Sequence, residues 1–204
     1  MLKTITLTST VLLLMSGCVT KEIVYQPTPP QAQIQAPTTQ LESHTFAGET
    51  LTATPQVSQL VKKIKRLSSN SAYLDFNAHQ NIQVGDFLNI RATPNRAGYL
   101  KLIIIDPNGE RKLVLPNGIS SGYLHANQPF YTNNDQFALQ TTKPTGLHYV
   151  VVIFSEQNAR LIMQQGMNGY DAIHNEHDFI NILQRIKNQD YGRSHISIFP
   201  IRIY

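Results

Sequence analysis

The pattern of hydrophobic and polar positions divides the chain into three parts. An apolar stretch at residues 5–14 lies near the N-terminus. From residue 19 to about residue 54, apolar residues are sparse and follow no period. After that, apolar residues recur first at helical spacing and then in runs of strand length. We therefore expect one globular domain at residues 55–204.

Two segments have the apolar periodicity of amphipathic helices. The first, at residues 55–68, begins with Thr54 as a capping residue and Pro55 at the first helical position. The second spans about residues 176–188. A shorter helix is expected at residues 156–165. The apolar positions that define the two main helices are Val57, Leu60, Val61, Ile64 and Leu67, and then Phe179, Ile182, Leu183 and Ile186.

The segment between the two main helices is typical of antiparallel strands. Residues 99–105 and 147–154 are strongly apolar, and the sequence Asp-Pro-Asn-Gly at residues 106–109 is a hairpin-turn signal. Strands at this spacing predict an antiparallel β-sandwich or barrel. The last segment, residues 196–203, alternates, but Pro200 favours an edge or interrupted strand. The predicted fold class is mainly β with flanking helices (α+β).

The N-terminus has the organisation of a bacterial lipoprotein signal. Lys3 supplies a positive charge, and the apolar stretch is shorter than the roughly 20 residues that cross a bilayer as a helix. Met15-Ser16-Gly17-Cys18 resembles a lipobox, in which the cysteine sulfur receives a diacylglycerol and the chain is cut before it. The sequence therefore predicts a signal peptide at residues 1–17 and lipidation of Cys18. The alternatives are an ordinary cleaved secretory signal and a short core helix with a stray cysteine.

The segment from Cys18 to Thr54 is predicted to be a tether between this lipid anchor and the domain. Proline, glutamine and threonine dominate it, so it is expected to be disordered. Val19 follows the cysteine where an aspartate usually favours inner-membrane retention, which resembles outer-membrane sorting in Gram-negative bacteria. We expect a lipid-anchored protein of the cell envelope, at the outer membrane with its domain facing the periplasm. Exposure at the cell surface is the alternative.

The charge of the chain is modest. Its 17 Lys and Arg residues exceed its 13 Asp and Glu residues by a net +4. Nucleic-acid binding is not expected, because only one basic cluster is present. That cluster comprises Lys62, Lys63, Lys65 and Arg66. It is either a solvated helix face or an interaction surface for anionic lipid or another acidic partner.

The sequence offers few candidates for chemistry. A Walker loop, a Gly-x-Gly-x-x-Gly turn and a His-Glu-x-x-His motif are missing. His174 and His177 are three residues apart beside carboxylates, which would suit a metal. The alternative is a helix N-terminus, where Asn175, Glu176 and Asp178 are favoured residues. We predict no catalytic residues, no metal and no other cofactor, with this histidine pair as a weak metal candidate.

The tyrosines allow two interpretations. Several of them would line a ligand groove, because aromatic faces stack on sugar rings. Alternatively, most are half-buried residues of strands and loops. The tyrosines in question are Tyr99, Tyr123, Tyr131, Tyr149 and Tyr170.

Several motifs occur in one order along residues 72–156. They are Val84-Gly85-Asp86, Gly98-Tyr99-Leu100-Lys101-Leu102, Asp106, Asn108-Gly109, Leu113-Val114-Leu115-Pro116-Asn117, Pro144-Thr145-Gly146 and Ser155-Glu156. This order resembles domain-of-unknown-function family 4384, which recurs in bacterial envelope proteins. Ala126-Asn127 departs from the Ala-Gly more usual in the family. The resemblance implies a β-sandwich that serves as an accessory or interaction module and has no agreed activity.

The leading expectation is a non-enzymatic outer-membrane lipoprotein. Its partners would be the membrane, through the N-terminal lipid, and another envelope protein or assembly, which the β-sandwich domain would bind. One alternative is a module that binds cell-wall glycan such as peptidoglycan. Another is a metal-dependent enzyme that uses His174 and His177.

Overall fold

The structure is a computed structural model, and it describes residues 40–69, 73–134, 138–158, 164–165, 171–172, 175–189 and 193–204. Its helices are α1 (Pro55–Leu67) and α2 (Glu176–Gln189). The strands are β1 (Ser43–Phe46), β2 (Glu49–Thr52), β3 (Leu74–Ala78), β4 (Asn81–Ile82), β5 (Ile90–Pro94), β6 (Gly98–Ile105), β7 (Arg111–Leu115), β8 (Tyr123–Leu124), β9 (Phe130–Tyr131), β10 (Gly146–Ser155), β11 (Gln164–Gln165), β12 (Asp171–Ala172) and β13 (His195–Ile203).

The largest sheet of the described chain has eight strands, in the order β11-β12-β7-β6-β10-β13-β4, with β8 attached to β6. Its central strand, β10, pairs with β13 on one side and with β6 on the other. Residues 147–155 of β10 are all buried. A strand covered on both faces favours apolar residues at successive positions, which explains the apolar run at residues 149–154.

Two cores lie on opposite faces of this sheet. On one face, Ile103 and Val151 pack among the side chains of the two helices and of the β1–β2 hairpin. We call this cluster the helix-side core. On the other face, Leu102 and Val152 pack against a three-stranded sheet of order β3-β5-β9. The two sheets therefore enclose one core as a sandwich, while the helices cover the outer face of the large sheet. The mainly β, α+β fold class is confirmed.

Helix α1 forms because its local signals agree with its packing. Thr54 Oγ1 accepts a hydrogen bond from Val57 N at 3.3 Å, and Pro55 occupies the first turn. At the other end, Ser68 N donates to Ile64 O at 3.0 Å. Burial of a large aliphatic side chain stabilises the fold by about 2 kcal/mol. Four such side chains of α1 are buried in the helix-side core, namely Val57, Leu60, Val61 and Ile64.

Helix α2 lies in the same core. Phe179, Leu183 and Ile186 are buried there, at the helical spacing that the sequence predicted. The predicted helices at residues 55–68 and about 176–188 are thus both present within a residue or so of their expected ends. Neither described helix is long and apolar enough to cross a membrane.

The predicted tether was wrong for its last part, because residues 43–52 form the β1–β2 hairpin. Positive φ angles at Ala47 and Gly48 make its turn, and Phe46 is buried in the helix-side core. The hairpin escaped prediction because its outer positions are serine, threonine and glutamate, and its turn lacks asparagine or proline. The described domain therefore begins before residue 55. Residues 18–39 of the predicted tether lie outside the described residues.

Three smaller expectations also changed. The sandwich is not purely antiparallel, because β13 and β4 pair in parallel at Arg202 and Ile203. Gln164–Gln165 is a strand, whereas a helix was predicted over residues 156–165. Pro200 does not interrupt the pairing of β13 with β10, which runs along the whole strand. On the other edge of β13, pairing with β4 begins only after the proline.

Candidate functional site

The basic cluster on α1 is largely engaged within the domain. Lys63 Nζ lies 2.6 Å from Glu176 Oε1 of α2, and Lys65 Nζ lies 2.5 Å from Glu42 Oε2. Lys62 donates to a main-chain oxygen just before β1. These contacts join α1 to α2 and to the hairpin, so three of the four cations serve internal contacts. The fourth member, Arg66, is exposed.

The histidine cluster is divided between described and undescribed residues. His177 is exposed at the start of α2, and its main-chain N donates to Asn175 Oδ1 at 2.9 Å. Asn175 therefore caps the helix, as the alternative interpretation predicted. His174 lies outside the described residues, as does Cys18. Within the described part of the chain, no three His, Cys, Asp or Glu side chains come together as a metal site.

The five tyrosines do not share one groove. Tyr149 is buried, its ring lies 5.6 Å from that of His44, and burial raises the pKa of its hydroxyl. Tyr99 and Tyr123 pack edge to face at 5.2 Å across β6 and β8. Tyr131 stands apart at the end of β9 and is 46% exposed. Tyr170 lies outside the described residues.

One motif escaped the sequence analysis. Residues 118–122 have the Gly-x-Ser-x-Gly spacing of a serine-hydrolase nucleophile elbow. That elbow requires a strand followed by a helix, but this segment connects β7 with β8. Ser120 Oγ accepts a hydrogen bond from Gly122 N at 3.2 Å, and Asn117 Oδ1 accepts from two further main-chain N–H groups. The segment is a loop stabilised by its own polar side chains.

The feature best suited to bind a ligand is an open cleft of about 630 Å³ beside the three-stranded sheet. It continues into a smaller depression of about 280 Å³ that includes Asp86 and Phe87. We call this region the asparagine cleft. Half of its ten lining residues have amide side chains. The lining residues are Asn77, Ala78, His79, Gln80, Asn81, Asn89, Ile90, Arg91, Tyr131 and Asn133.

Strand register builds the floor of the asparagine cleft. Asn77 on β3 pairs with Arg91 on β5, and Arg91 pairs with Tyr131 on β9. Side chains of directly paired residues lie on the same face, about 5 Å apart. All three residues are exposed, while their neighbours Phe76 and Ala92 turn toward the core between the sheets. The three residues therefore form one row across the outer face of the small sheet.

Hydrogen bonds hold the segments that carry the cleft. His79 N donates to Asn89 O at 3.0 Å, which ties the β3–β4 turn to the start of β5. The fully buried Thr132 links β5 to β9: its Oγ1 accepts from Ile90 N at 2.9 Å and donates to Leu88 O. These contacts fix the backbone that carries the exposed amides, so the strands of the cleft need little rearrangement to bind a ligand.

The electrostatics of the cleft are close to neutral. Arg91 Nη1 lies 3.8 Å from Asp75 Oδ2 on the same sheet face. Asp86 adds a carboxylate at the smaller depression. The asparagine amides carry no charge but supply both donors and acceptors. The enclosed Oδ1 of Asn81 accepts no hydrogen bond from the described residues, which leaves one acceptor unmatched at the cleft.

The comparison with protein families supports part of the sequence interpretation. Residues 81–158 match the model of the family described as domain of unknown function (DUF4384). The chain carries a domain resembling this family. The match covers β4 to β10 and well under half of the chain, so α1, α2, β3 and β13 lie outside it. A comparison with curated proteins found no match.

The asparagine cleft was not anticipated from the sequence, although Tyr131 was among the residues considered. The row of Asn77, Arg91 and Tyr131 comes from three separate strands, β3, β5 and β9. The alternation of exposed and buried residues in β3 and β5 was a usable signal for the sheet face. The register that aligns the three residues was not available from any single strand.

Proposed function

We propose that this protein is a lipoprotein of the bacterial cell envelope, anchored in the outer membrane through Cys18, with a non-catalytic binding module as its folded domain. The module binds another component of the envelope through the asparagine cleft. The observation that carries the binding role is this open, amide-lined cleft, supported by main-chain hydrogen bonds. The lipobox sequence at residues 15–18 supports the anchor.

The domain is suited to this role by its construction. Its buried apolar residues form two cores, and exposed asparagines line the cleft. Ligand sites commonly combine such a rigid framework with a few convergent polar groups. A tether ahead of the domain would let the cleft reach a target away from the lipid surface.

The anchor is tested by metabolic labelling in a Gram-negative host. The wild-type protein should incorporate a palmitate analogue and fractionate with outer membranes. The Cys18→Ser variant should remain unlabelled, because its hydroxyl is not a lipidation substrate and the chain has no other cysteine. A wild-type protein that carries no label, or a Cys18→Ser variant that is labelled equally, would refute the anchor.

The binding role is tested by NMR on the mature-length protein, residues 18–204, carrying Cys18→Ser. Addition of a soluble envelope extract should shift the amide signals of Asn77, Asn89 and Tyr131. The signal of Tyr123, which lies outside the cleft and is 44% exposed, should stay in place. A cytoplasmic extract is the matched negative control. Unchanged cleft signals with the envelope extract would contradict the proposed function.

A further inference from the structure

We infer that the ligand of the asparagine cleft is an uncharged, hydroxyl-rich glycan chain. The inference rests on the proposed function and names the class of ligand for the same site. It comes from three independent properties of the cleft, which are the hydrogen-bonding character of its side chains, the position of its exposed aromatic rings and its balance of charge.

The amides match the chemistry of sugars. An asparagine side chain offers two N–H donors and a carbonyl acceptor, and a sugar hydroxyl both donates and accepts. Asn77, Asn89 and Asn133 are exposed at the cleft, so their amide groups are open to a ligand. An acetamido substituent would meet these amides as one peptide group meets another. A protein partner with an apolar face would bury the same amides without hydrogen-bond partners, which is unfavourable.

The exposed aromatic rings supply the apolar part of recognition. Tyr131 forms one end of the row that also contains Asn77 and Arg91, and Phe87 borders the adjoining depression. Phe87 is 44% exposed, which is unusual for a phenylalanine. The C–H face of a sugar ring stacks on such an aromatic ring, while its hydroxyls point outward to the amides. Three strands at a spacing of about 4.8 Å give a row about 10 Å wide, comparable with a disaccharide.

The charges argue against an anionic ligand. Arg91 is the only Lys or Arg among the residues lining the cleft, and Asp75 lies beside it. Sites for phosphate or nucleic acid cluster several cations with helix N-termini or aromatic stacks. Asp86 would repel a phosphate further. The cleft therefore favours a neutral chain over a phosphate-bearing one.

The experiment titrates the mature-length Cys18→Ser protein with a tetramer of β-1,4-linked N-acetylglucosamine and follows amide signals by NMR. The signals of Asn77, Asn89 and Tyr131 should shift and saturate. Tyr131→Ala should weaken binding about tenfold through loss of the stacking ring, whereas Tyr131→Phe should retain it. Asn77→Ala should weaken binding roughly fivefold, the value of one hydrogen bond.

The matched control is Tyr123→Ala, because Tyr123 has nearly the same exposure as Tyr131 but lies outside the cleft. It should bind like the parent protein. Equal losses in the two alanine variants would overturn the inference, as would saturable binding of inorganic phosphate at the cleft without binding of the tetramer. If the envelope extract shifts the cleft signals and the tetramer does not, the ligand class is wrong while the proposed function stands. If neither shifts them, the proposed function fails as well.

Discussion

Replacement of Gly122 by alanine should cost the domain about 3 kcal/mol of stability. Gly122 has a φ of +75°, and its carbonyl oxygen accepts a hydrogen bond from Leu100 N at 2.7 Å. A Cβ added there would lie 2.3 Å from the main-chain oxygen of Leu100. Two penalties therefore combine at this position. One is the strain of a positive φ, and the other is a contact with backbone that has no room to move.

Two other glycines separate these two penalties. Gly85 has a φ of +97° but open space around it, so Gly85→Ala should cost only about 1 to 2 kcal/mol of conformational strain. Gly98 has no positive φ, but its Cβ would lie 2.7 Å from both Phe154 Cζ and Ser155 O. Gly98→Ala should therefore cost about 1 to 3 kcal/mol as overpacking. The two ranges add to about 2 to 5 kcal/mol, which includes the loss of about 3 kcal/mol expected for Gly122→Ala.

Gly118 is the matched control, because it lies in the same loop as Gly122. It has neither a positive φ nor any atom within 4 Å of an added Cβ. Gly118→Ala should leave stability unchanged or raise it by about 0.4–1 kcal/mol, since alanine restricts the unfolded chain.

The assay is urea unfolding of each variant, followed by circular dichroism. With a dependence on urea of about 2 kcal/mol per molar, a loss of 3 kcal/mol lowers the midpoint by about 1.5 M. The reasoning is refuted if Gly122→Ala unfolds within about 0.5 kcal/mol of Gly118→Ala. It is also refuted if Gly85→Ala is the more damaging of the two positive-φ replacements.

Two further predictions concern the helix-side core and the buried histidines. Phe46→Ala should destabilise the domain by about 3 kcal/mol, because Phe46 is 6% exposed and packs with α1. The control is Thr45→Ala, at an exposed position of the same strand, which should change stability by less than about 0.5 kcal/mol in the same unfolding assay. Burial lowers the pKa of His148 from 6.5, and burial and then Lys65 lower the pKa of His44. The unfolded chain then binds more protons than the folded one, so the stability of the domain should fall as pH drops through about 6.5. His148→Gln should make that fall shallower. An equally steep fall in the variant would show that His148 does not cause the pH dependence.

Elements with strong local signals were predictable from the sequence. Helix α1 has a capping threonine, a proline in its first turn and an unbroken apolar face, and each of these signals acts within a few residues. The apolar runs at residues 99–105 and 147–154 likewise predicted the strands β6 and β10. In both cases the local preference and the tertiary packing agree, so a window of ten to fifteen residues held enough information.

The β1–β2 hairpin shows where local signals were too weak. Hydroxyl pairs line its exposed side, with Ser43 and Thr52 at 2.9 Å and Thr45 and Thr50 at 2.9 Å. Such a composition is equally common in disordered segments. Contacts with residues elsewhere in the chain distinguish the hairpin from a tether. Phe46 and Leu51 pack in the helix-side core, and the ring of His44 lies 5.6 Å from that of Tyr149.

The sequence by itself determined the two helices, the apolar strands and the mainly β fold, because these depend on the periodicity of neighbouring residues. Residues 15–18 resemble a lipobox, and lipidation of Cys18 stays a prediction. Only the tertiary structure decided that Asn77, Arg91 and Tyr131 share one exposed row, and that most of the basic cluster makes contacts inside the domain. The physical reason for the row is register: a shift of one residue in β3, β5 or β9 would turn the outward side chains of that strand into the core. The contacts of the basic cluster depend on residues far away in the chain, so the sequence of α1 could not show them.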